Sequence, residues 1–312
     1  MIFNLKGVLG RRGSERRALR VGYLPTLDAA TLLVAQGRGF FAAEGLEVSL
    51  QRQTSWHRAQ QRLASGELEA AHLPGTGPLA GQLGLNGEIR PLRTALVLAL
   101  GGSSLGLTPG CAAALQKHTA SAHPADLAEA MARLIRERRE AGEPRLRFAV
   151  SDRYSPGVYA LRHWLAHAGI DPLREIEVGV VTPARVLASL SGRRYDGAWL
   201  DEPFGSLAAA QGSVVLMFSQ HDFWNHSLGG VLAVREAFQR RSPLSHRALL
   251  RALLAASQWL ESHRETALEL LADRTYLDLP ADALTALSAG ISTRAGHYPL
   301  DLRFASGAAT FP

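Results

Sequence analysis

The 312-residue chain holds one cysteine, Cys111, and two lysines, Lys6 and Lys117. A single thiol rules out an internal disulfide and a cysteine-rich zinc or iron–sulfur centre, and it fits a reducing compartment. Neither lysine stands in a G-x-x-x-x-G-K context, so there is no phosphate-binding P-loop. The most apolar unbroken run, Thr94 to Leu100, is far too short to span a bilayer. Basic excess is confined to one end. The first twenty residues carry Lys6, Arg11, Arg12, Arg16, Arg17 and Arg20 against Glu15, leaving 28 basic and 27 acidic residues after Arg20. A nearly neutral body lacks the basic stripe that phosphate neutralisation demands, which argues against direct nucleic-acid binding. A secretory leader is not visible either, because Asn4, Lys6 and Gly7 interrupt the stretch from Met1 to Leu9 and arginines follow it. The twin arginines at Arg11–Arg12 and Arg16–Arg17 precede a strand-like "ALRVGYLP" with no apolar run behind it. The expectation is a cytoplasmic protein with a basic N-terminal arm over residues 1–18, a periplasmic location being the alternative.

With 46% hydrophobic and 20% charged residues, the composition is that of a soluble globular chain of about two domains. From Leu19 onward, short β-rich runs alternate with helical patterns, which predicts an α/β fold with largely parallel sheets. Strands are expected at Leu19 to Leu24, Leu46 to Leu50, Ala70 to Leu73, Thr94 to Leu100, Leu146 to Val150, Ile176 to Val181 and Tyr195 to Leu200. The intervening helices are expected at Asp28 to Arg38, Ser55 to Ala64, Pro78 to Leu83, Gly157 to Ala168, Ala184 to Leu190 and Phe204 to Ala210. Ser213 to Phe218 and Gly230 to Val234 read as strands returning the chain to the first half. Ser242-Pro243 caps a helix with apolar positions at Leu249, Leu253, Ala256 and Leu260, and helices from Glu265 to Ala272 and Pro280 to Leu287 follow. Leu63 to Gly84 and Leu187 to Gly212 run through the same order: helix, Ser-Gly turn, acidic residue, apolar strand, loop and Ala/Leu/Gly helix. That is either shared α/β grammar or two similar lobes. The two-lobe reading assigns residues 19–104 plus about 230–312 to lobe 1 and about 105–229 to lobe 2, with a ligand cleft where strand carboxyl ends and helix amino ends converge.

Several motifs suggest chemistry and each has a plainer reading. Gly102-Ser103-Ser104-Leu105-Gly106 fits a G-x-S-x-G nucleophile elbow, but Thr108-Pro109-Gly110 separates it from the helix an elbow needs. Gly75-Thr76-Gly77-Pro78-Leu79-Ala80 matches G-x-G-x-x-A without the acidic partner that a dinucleotide site wants about 20 positions on. His163 and His167 have metal-ligand spacing and no third ligand nearby in sequence; a solvated helix face accounts for them. Asp201-Glu202 at a strand end is either a metal or acid/base pair, or a cleft rim where Glu202 caps the helix entered through Pro203. What remains is a set of strand-end loop residues: Thr26, Asp28, Ser55, Trp56, His72, Thr76, Ser103, Ser104, Arg153, Ser155, Thr182, Asp201, Glu202 and Trp224. Their chemistry is hydrogen bonding, aromatic enclosure and helix-terminus electrostatics, with no activated nucleophile. Such an inventory suits binding a small anionic solute without catalysis.

The segments "VGYLPTLDAA", "GFFAAEGLEV", Ser55-Trp56, "AAHL", "RFAVSDRYSPGVYALRHWLAHAGIDP", "DEPFGSLAAAQG" and "FASGAATFP" resemble the nitrate/nitrite/bicarbonate branch of the substrate-binding proteins of ABC importers. The resemblance covers most of Leu19 to Pro312. It implies a type II periplasmic-binding-protein fold: two similar lobes, a ligand between them, hinge closure, no cofactor and no metal. It also implies that Trp56 gives an indole N–H to the oxyanion, that Ser103 stands where the family has an amide, that Ser155 lies in the second lobe's ligand loop and that His72 lines the pocket floor. The expected ligand-binding set is Asp28, Ser55, Trp56, His72, Ser103, Arg153, Ser155, Glu202 and Trp224. The family's anion-pairing lysine position reads Gly230, and Arg153 is either its substitute or a solvent-facing side chain. Members without a leader resemble cytosolic nitrate/nitrite sensors that restrain an RNA-binding antitermination regulator, and that is the first expectation here. The alternatives are the binding component of a nitrate/bicarbonate-type importer with its permease as partner, and a thiamine-precursor-synthase-like enzyme on the same fold. Against the enzyme stands the lone Cys111 where such synthases resemble one another in a cysteine-rich run.

Overall fold

The computed structural model describes residues 17–304 apart from residues 86, 88, 223, 225, 226, 281, 282, 284, 286, 289, 290, 295 and 299–301. The first half runs β1 (Arg17–Tyr23), a 3₁₀ turn (Leu27–Ala29), α1 (Ala30–Gly37), α2 (Phe40–Ala43), β2 (Leu46–Arg52), α3 (Trp56–Ser65), β3 (Ala70–Pro74), α4 (Gly77–Gln82), β4 (Leu92–Val97) and β5 (Ala99–Gly101). The second half runs β6 (Ser103–Leu107), α5 (Pro109–Gln116), α6 (Pro124–Glu140), β7 (Leu146–Val150), α7 (Pro156–His167), β8 (Ile176–Val180), α8 (Pro183–Ser191), β9 (Gly197–Asp201), α9 (Phe204–Ala210) and β10 (Val215–Ser219). The chain continues with β11 (Gly230–Arg235), α10 (Glu236–Arg241), α11 (Pro243–Ser262), α12 (Arg264–Ala272) and three short strands, β12 (Ile291–Thr293), β13 (Gly296–Tyr298) and β14 (Leu302–Phe304).

These elements build two five-stranded sheets, β2-β1-β3-β11-β4 and β8-β7-β9-β6-β10. Read in those directions the two orders correspond strand for strand. In each sheet the first three strands are parallel, and the fourth runs antiparallel to its neighbours. The fourth strand is the one that crosses over: β6 enters the second sheet directly after the first half, and β11 returns to the first. Helices cover both faces of both sheets, as parallel strands buried on two sides require. In the first lobe α1, α11 and α12 bury Leu32, Leu33, Leu249, Leu253 and Leu271 on one face, while α3 buries Trp56, Ala59 and Leu63 on the other. In the second, α5, α6 and α7 enclose Cys111, Met131, Phe148 and Trp164, and α8 and α9 supply Val186, Leu190 and Ala208 opposite.

Most predicted elements lie within a residue or two of these bounds, and several expectations are corrected. The arm expected over residues 1–18 gives way to β1 at Arg17, and residues 1–16 lie outside those described. Thr94 to Leu100 is not one strand: pairing to β11 ends at Val97, and Ala99–Gly101 pairs instead with Leu302–Phe304. Ser213 to Phe218 does not return to lobe 1, because β10 pairs with β6 in the second sheet. Gly102 to Gly106 forms no elbow; Ser103 and Ser104 lie inside β6, paired to Asp201 and Leu200. Half of the residues of the helix expected from Pro280 to Leu287 lie outside those described.

Candidate functional site

Each parallel strand ends in a loop that opens a helix, and these carboxyl ends from the two lobes face one another. A cavity of about 20 Å³ lies between them, lined by Asp28, Trp56, Pro74, Gly101, Gly102 and Ser103, by Ser151, Ser155, Pro156, Gly157 and Asp201, and by Gln220, Leu228 and Gly229. Such a volume is about what one or two waters need, so any occupant has only a few heavy atoms. Two larger hollows, of about 600 and 610 Å³, lie at the opposite, amino ends of the strands, around Ala18 and Arg241 and around Arg145 and Leu146. Neither gathers the strand-end residues.

The lobes touch directly around the cavity. The Leu27 N–H donates to the Glu202 carbonyl at 2.8 Å. The Thr76 hydroxyl donates to the Tyr154 carbonyl, and the Tyr154 hydroxyl to the Leu85 carbonyl at 2.8 Å.

Two helix amino ends reach the cavity, one from each lobe. Ser55 caps α3, its Oγ accepting from the Arg58 N–H at 3.1 Å, and Trp56 occupies the first helical position. Trp56 is 4% exposed, and its indole Nε1 is buried with no hydrogen-bond partner among the described residues. Ser155 caps α7. Pro156 has no N–H to offer, so Gly157 supplies the first orphan amide of that helix. A side chain at Gly157 would collide with Trp199, whose indole lies 2.5 Å from the position a Cβ would take. Positive helix ends and an unspent indole N–H favour an anionic or oxygen-rich solute.

Acidic groups face the same space. His72, fully buried on β3, sits edge-on to Trp56 at 4.8 Å between ring centroids and places Nε2 3.1 Å from Oδ2 of Asp28. Burial raises the Asp28 carboxyl, but the opposing His72 charge and contact outweigh it and hold the group below its ordinary value. Asp201, at the end of β9, is pushed up to about 7, first by burial and then by the Asp28 charge. Glu202 is pushed up to about 7, again chiefly by burial, and its Oε2 accepts the Ser206 N–H at 3.2 Å, capping α9. No arginine or lysine lines the cavity among the described residues.

Asp28, Trp56, Ser103 and Ser155 come together at the cavity, and His72 lies behind Asp28 and Trp56 rather than on the cavity surface. Other expected site residues take different places. The Ser103 hydroxyl donates to Gln220 Oε1 at 2.6 Å and accepts the Trp199 Nε1 proton at 2.8 Å. The Ser155 hydroxyl donates to the Asp152 carbonyl and accepts from Val158. Neither hydroxyl retains a proton for an anion. Ser55 and Glu202 are helix caps outside the lining. Arg153 is exposed and outside it too, a solvent-facing side chain and no replacement for a lysine. Trp224, 38% exposed, stacks on His163 at 5.4 Å on the second lobe's surface. Among the described residues no three His, Cys, Asp or Glu side chains gather as a metal site. Cys111 is buried on α5 with its thiol pushed up to about 12 by burial. Sequence reasoning missed Gln220, which faces the cavity as an amide from the end of β10. Its Oε1 takes the Ser103 proton and its Nε2 donates to Ser227, leaving one amide hydrogen. Its place directly after an apolar strand was the available signal.

Comparison with known proteins follows the same lines. A family model described as the NMT1-like family matches residues 12–273. The bicarbonate transport ATP-binding protein CmpC of Synechococcus elongatus is 32% identical over 278 residues, covering 88% of this chain and 40% of that protein. The chain thus spans about two-fifths of that relative's length. The nitrate/nitrite binding protein NrtA of Synechocystis is 24% identical over 293 residues, covering 91% of this chain and 63% of its own. The crystal structure of periplasmic nitrate-binding protein NrtA from Synechocystis superposes with a TM-score of 0.80 at 21% identity, covering 93% of this chain and 76% of the other. The fold is the two-lobed, type II periplasmic-binding-protein fold.

Proposed function

The chain belongs to the NMT1-like family, and from that premise we propose that it is the solute-binding module of a nitrate/bicarbonate-type ABC import system, closing its lobes on one small oxyanion. The observation that carries this reading is the cavity: about 20 Å³, formed from both lobes, with the amino ends of α3 and α7 and the unpartnered Trp56 indole turned toward it. The relatives' names supply the transport context. Mechanistically, a solute touching both lobes favours the closed arrangement only by its affinity for closed over open, and that difference is what a partner reads. No group in the cavity is an activated nucleophile, which supports binding without turnover.

One observation favours a second reading, the ligand sensor. Identity is higher to the ATP-binding protein, 32%, than to the binding protein, 24%. The chain has no P-loop, so the shared segment is not that relative's nucleotide site. A module allied to the ATPase would report solute rather than deliver it, in the cytoplasm, with the ATPase or an RNA-binding antitermination regulator as the partner that senses closure. The importer reading agrees better with the named relatives and stands first.

A thermal-shift and calorimetric panel of nitrate, nitrite, bicarbonate, sulfate and small carboxylates tests the shared core of both readings. Solute at 100 times its Kd should add about 2.7 kcal/mol of stability. A melting curve unmoved by every member of the panel would overturn it.

A further inference from the structure

The cavity offers hydrogen-bond donors and acceptors together, and that combination constrains the occupant. Donors come from Trp56 Nε1, the Gly157 N–H and the spare amide hydrogen of Gln220. Acceptors come from Asp28 on the first lobe and Asp201 on the second, both lining the cavity. No lysine or arginine stands among the lining residues to neutralise them. Gly230, which stands at the family's lysine position, leaves no room for a side chain, because a Cβ there would overlap His72 Nε2 and lie 2.7 Å from Asp28 Oδ2.

Nitrate and nitrite present only acceptors. Placed between two carboxylates they offer neither acid a proton, so both acids face lone pairs, and His72 offsets the charge of Asp28 alone. A proton-bearing oxyanion matches both sets: its charged oxygens take the indole and helix-end N–H groups while its O–H donates to a carboxylate. Resting on the solute-binding reading above, we infer that Asp28 and Asp201 are specificity-determining residues selecting a small oxyanion that carries a hydrogen-bond donor, the chemistry of bicarbonate, over nitrate and nitrite.

The surroundings of Asp201 fit that role. It faces Asp28 and His72 from the first lobe, and Ser151 and Glu202 from its own. His72 keeps Asp28 charged, and Asp28 in turn holds Asp201 near the point where it gains or loses a proton. An ionised Asp201 accepts from a donor solute. A protonated one presents a donor of its own and makes the site more tolerant of nitrate.

The experiment is isothermal calorimetry with sodium bicarbonate, nitrate and nitrite at about pH 8, on the full chain and on the Asp201→Asn variant, with circular dichroism to check that the variant folds. Bicarbonate is expected to bind the unaltered chain at least about tenfold more tightly than nitrate, the size of one charge-assisted hydrogen bond. In Asp201→Asn, whose amide supplies a donor, bicarbonate should weaken by about tenfold and nitrate should gain. Nitrate binding as tightly as bicarbonate to the unaltered chain overturns the specificity inference and leaves the solute-binding reading standing. A failure of all three anions while another solute binds also overturns it; a failure of every solute overturns both. If the variant does not fold, lowering the pH of the unaltered chain replaces it: nitrate affinity must rise as Asp201 protonates, and a flat profile counts against the inference.

Discussion

The missing side chain of Gly230 is the space that His72 fills. On antiparallel β11, beside β3, a Cβ at this position would overlap the imidazole Nε2 and crowd the Asp28 carboxylate. The absence of a cationic side chain and the presence of the His72–Asp28 pair are therefore one arrangement. Gly230→Ala is expected to cost about 1–3 kcal/mol, the usual range for overpacking a filled interior. Adding His72→Ala should return part of that loss, so the two changes should be non-additive in urea unfolding. Additive losses would mean that the two residues do not compete for one space.

Protonation should stabilise the unliganded protein. Asp201 and Glu202 titrate at about 7 in the folded chain, against ordinary values of 3.8 and 4.5. Raised folded values mean that the native state holds protons the unfolded chain has released. Their contribution is intact below the ordinary values and is lost as pH rises through 7. Asp28 has the opposite sign, and its contribution is lost only as pH falls below the ordinary carboxylate range. Asp201→Asn should remove a penalty on the order of 2–4 kcal/mol at pH about 8, with a gain in Tm that shrinks steadily toward pH about 4. Differential scanning calorimetry across that range checks it, and a gain independent of pH would point to packing instead.

Trp56 has a role that a ring alone cannot fill. Trp56→Phe keeps an aromatic edge near His72 but deletes the unpartnered indole N–H. Solute affinity should fall by about tenfold or more while the melting temperature without solute changes little. An undiminished affinity would place the solute elsewhere.

Closure rests partly on contacts away from the cavity. Tyr154→Phe removes the 2.8 Å bond to the Leu85 carbonyl across the lobes. The closed state should weaken by about 0.5–1.5 kcal/mol, seen as a two- to tenfold faster release in stopped-flow measurements with the solute's chemistry untouched. A changed solute preference, rather than a changed rate, would contradict this.

The alternation of elements was legible because parallel strands here are apolar runs closed by capped helices, as in Val21 to Leu24 and Ser55-Trp56. The helix Pro124–Glu140 was not read, although Leu127, Met131, Leu134 and Ile135 carry its period. The Pro, Gly and Ser residues from Thr108 to Pro124 punctuate that stretch as a loop does. β6 is five residues of Ser, Leu and Gly, without the β-branched content that marks a strand. Within the site, residue types were readable but their commitments were not. Nothing local says that the Ser103 proton goes to Gln220, 117 positions away. Nor does it say that Asp28, in the turn after β1, and Asp201, at the end of β9, face the same small space. Those are products of tertiary arrangement, which also decides that Arg153 and Trp224 end on the outside.

The placement of β11 between β3 and β4 has a consequence for how the molecule is made. While the ribosome is still translating residues 98–229, the first sheet has a vacant lane between β3 and β4, and β4 has no neighbour to hold it. The second sheet draws all five strands from one uninterrupted stretch, Ser103 to Ser219. The later-synthesised half is therefore the one equipped to assemble by itself, and the earlier half must wait for a strand delivered from beyond it.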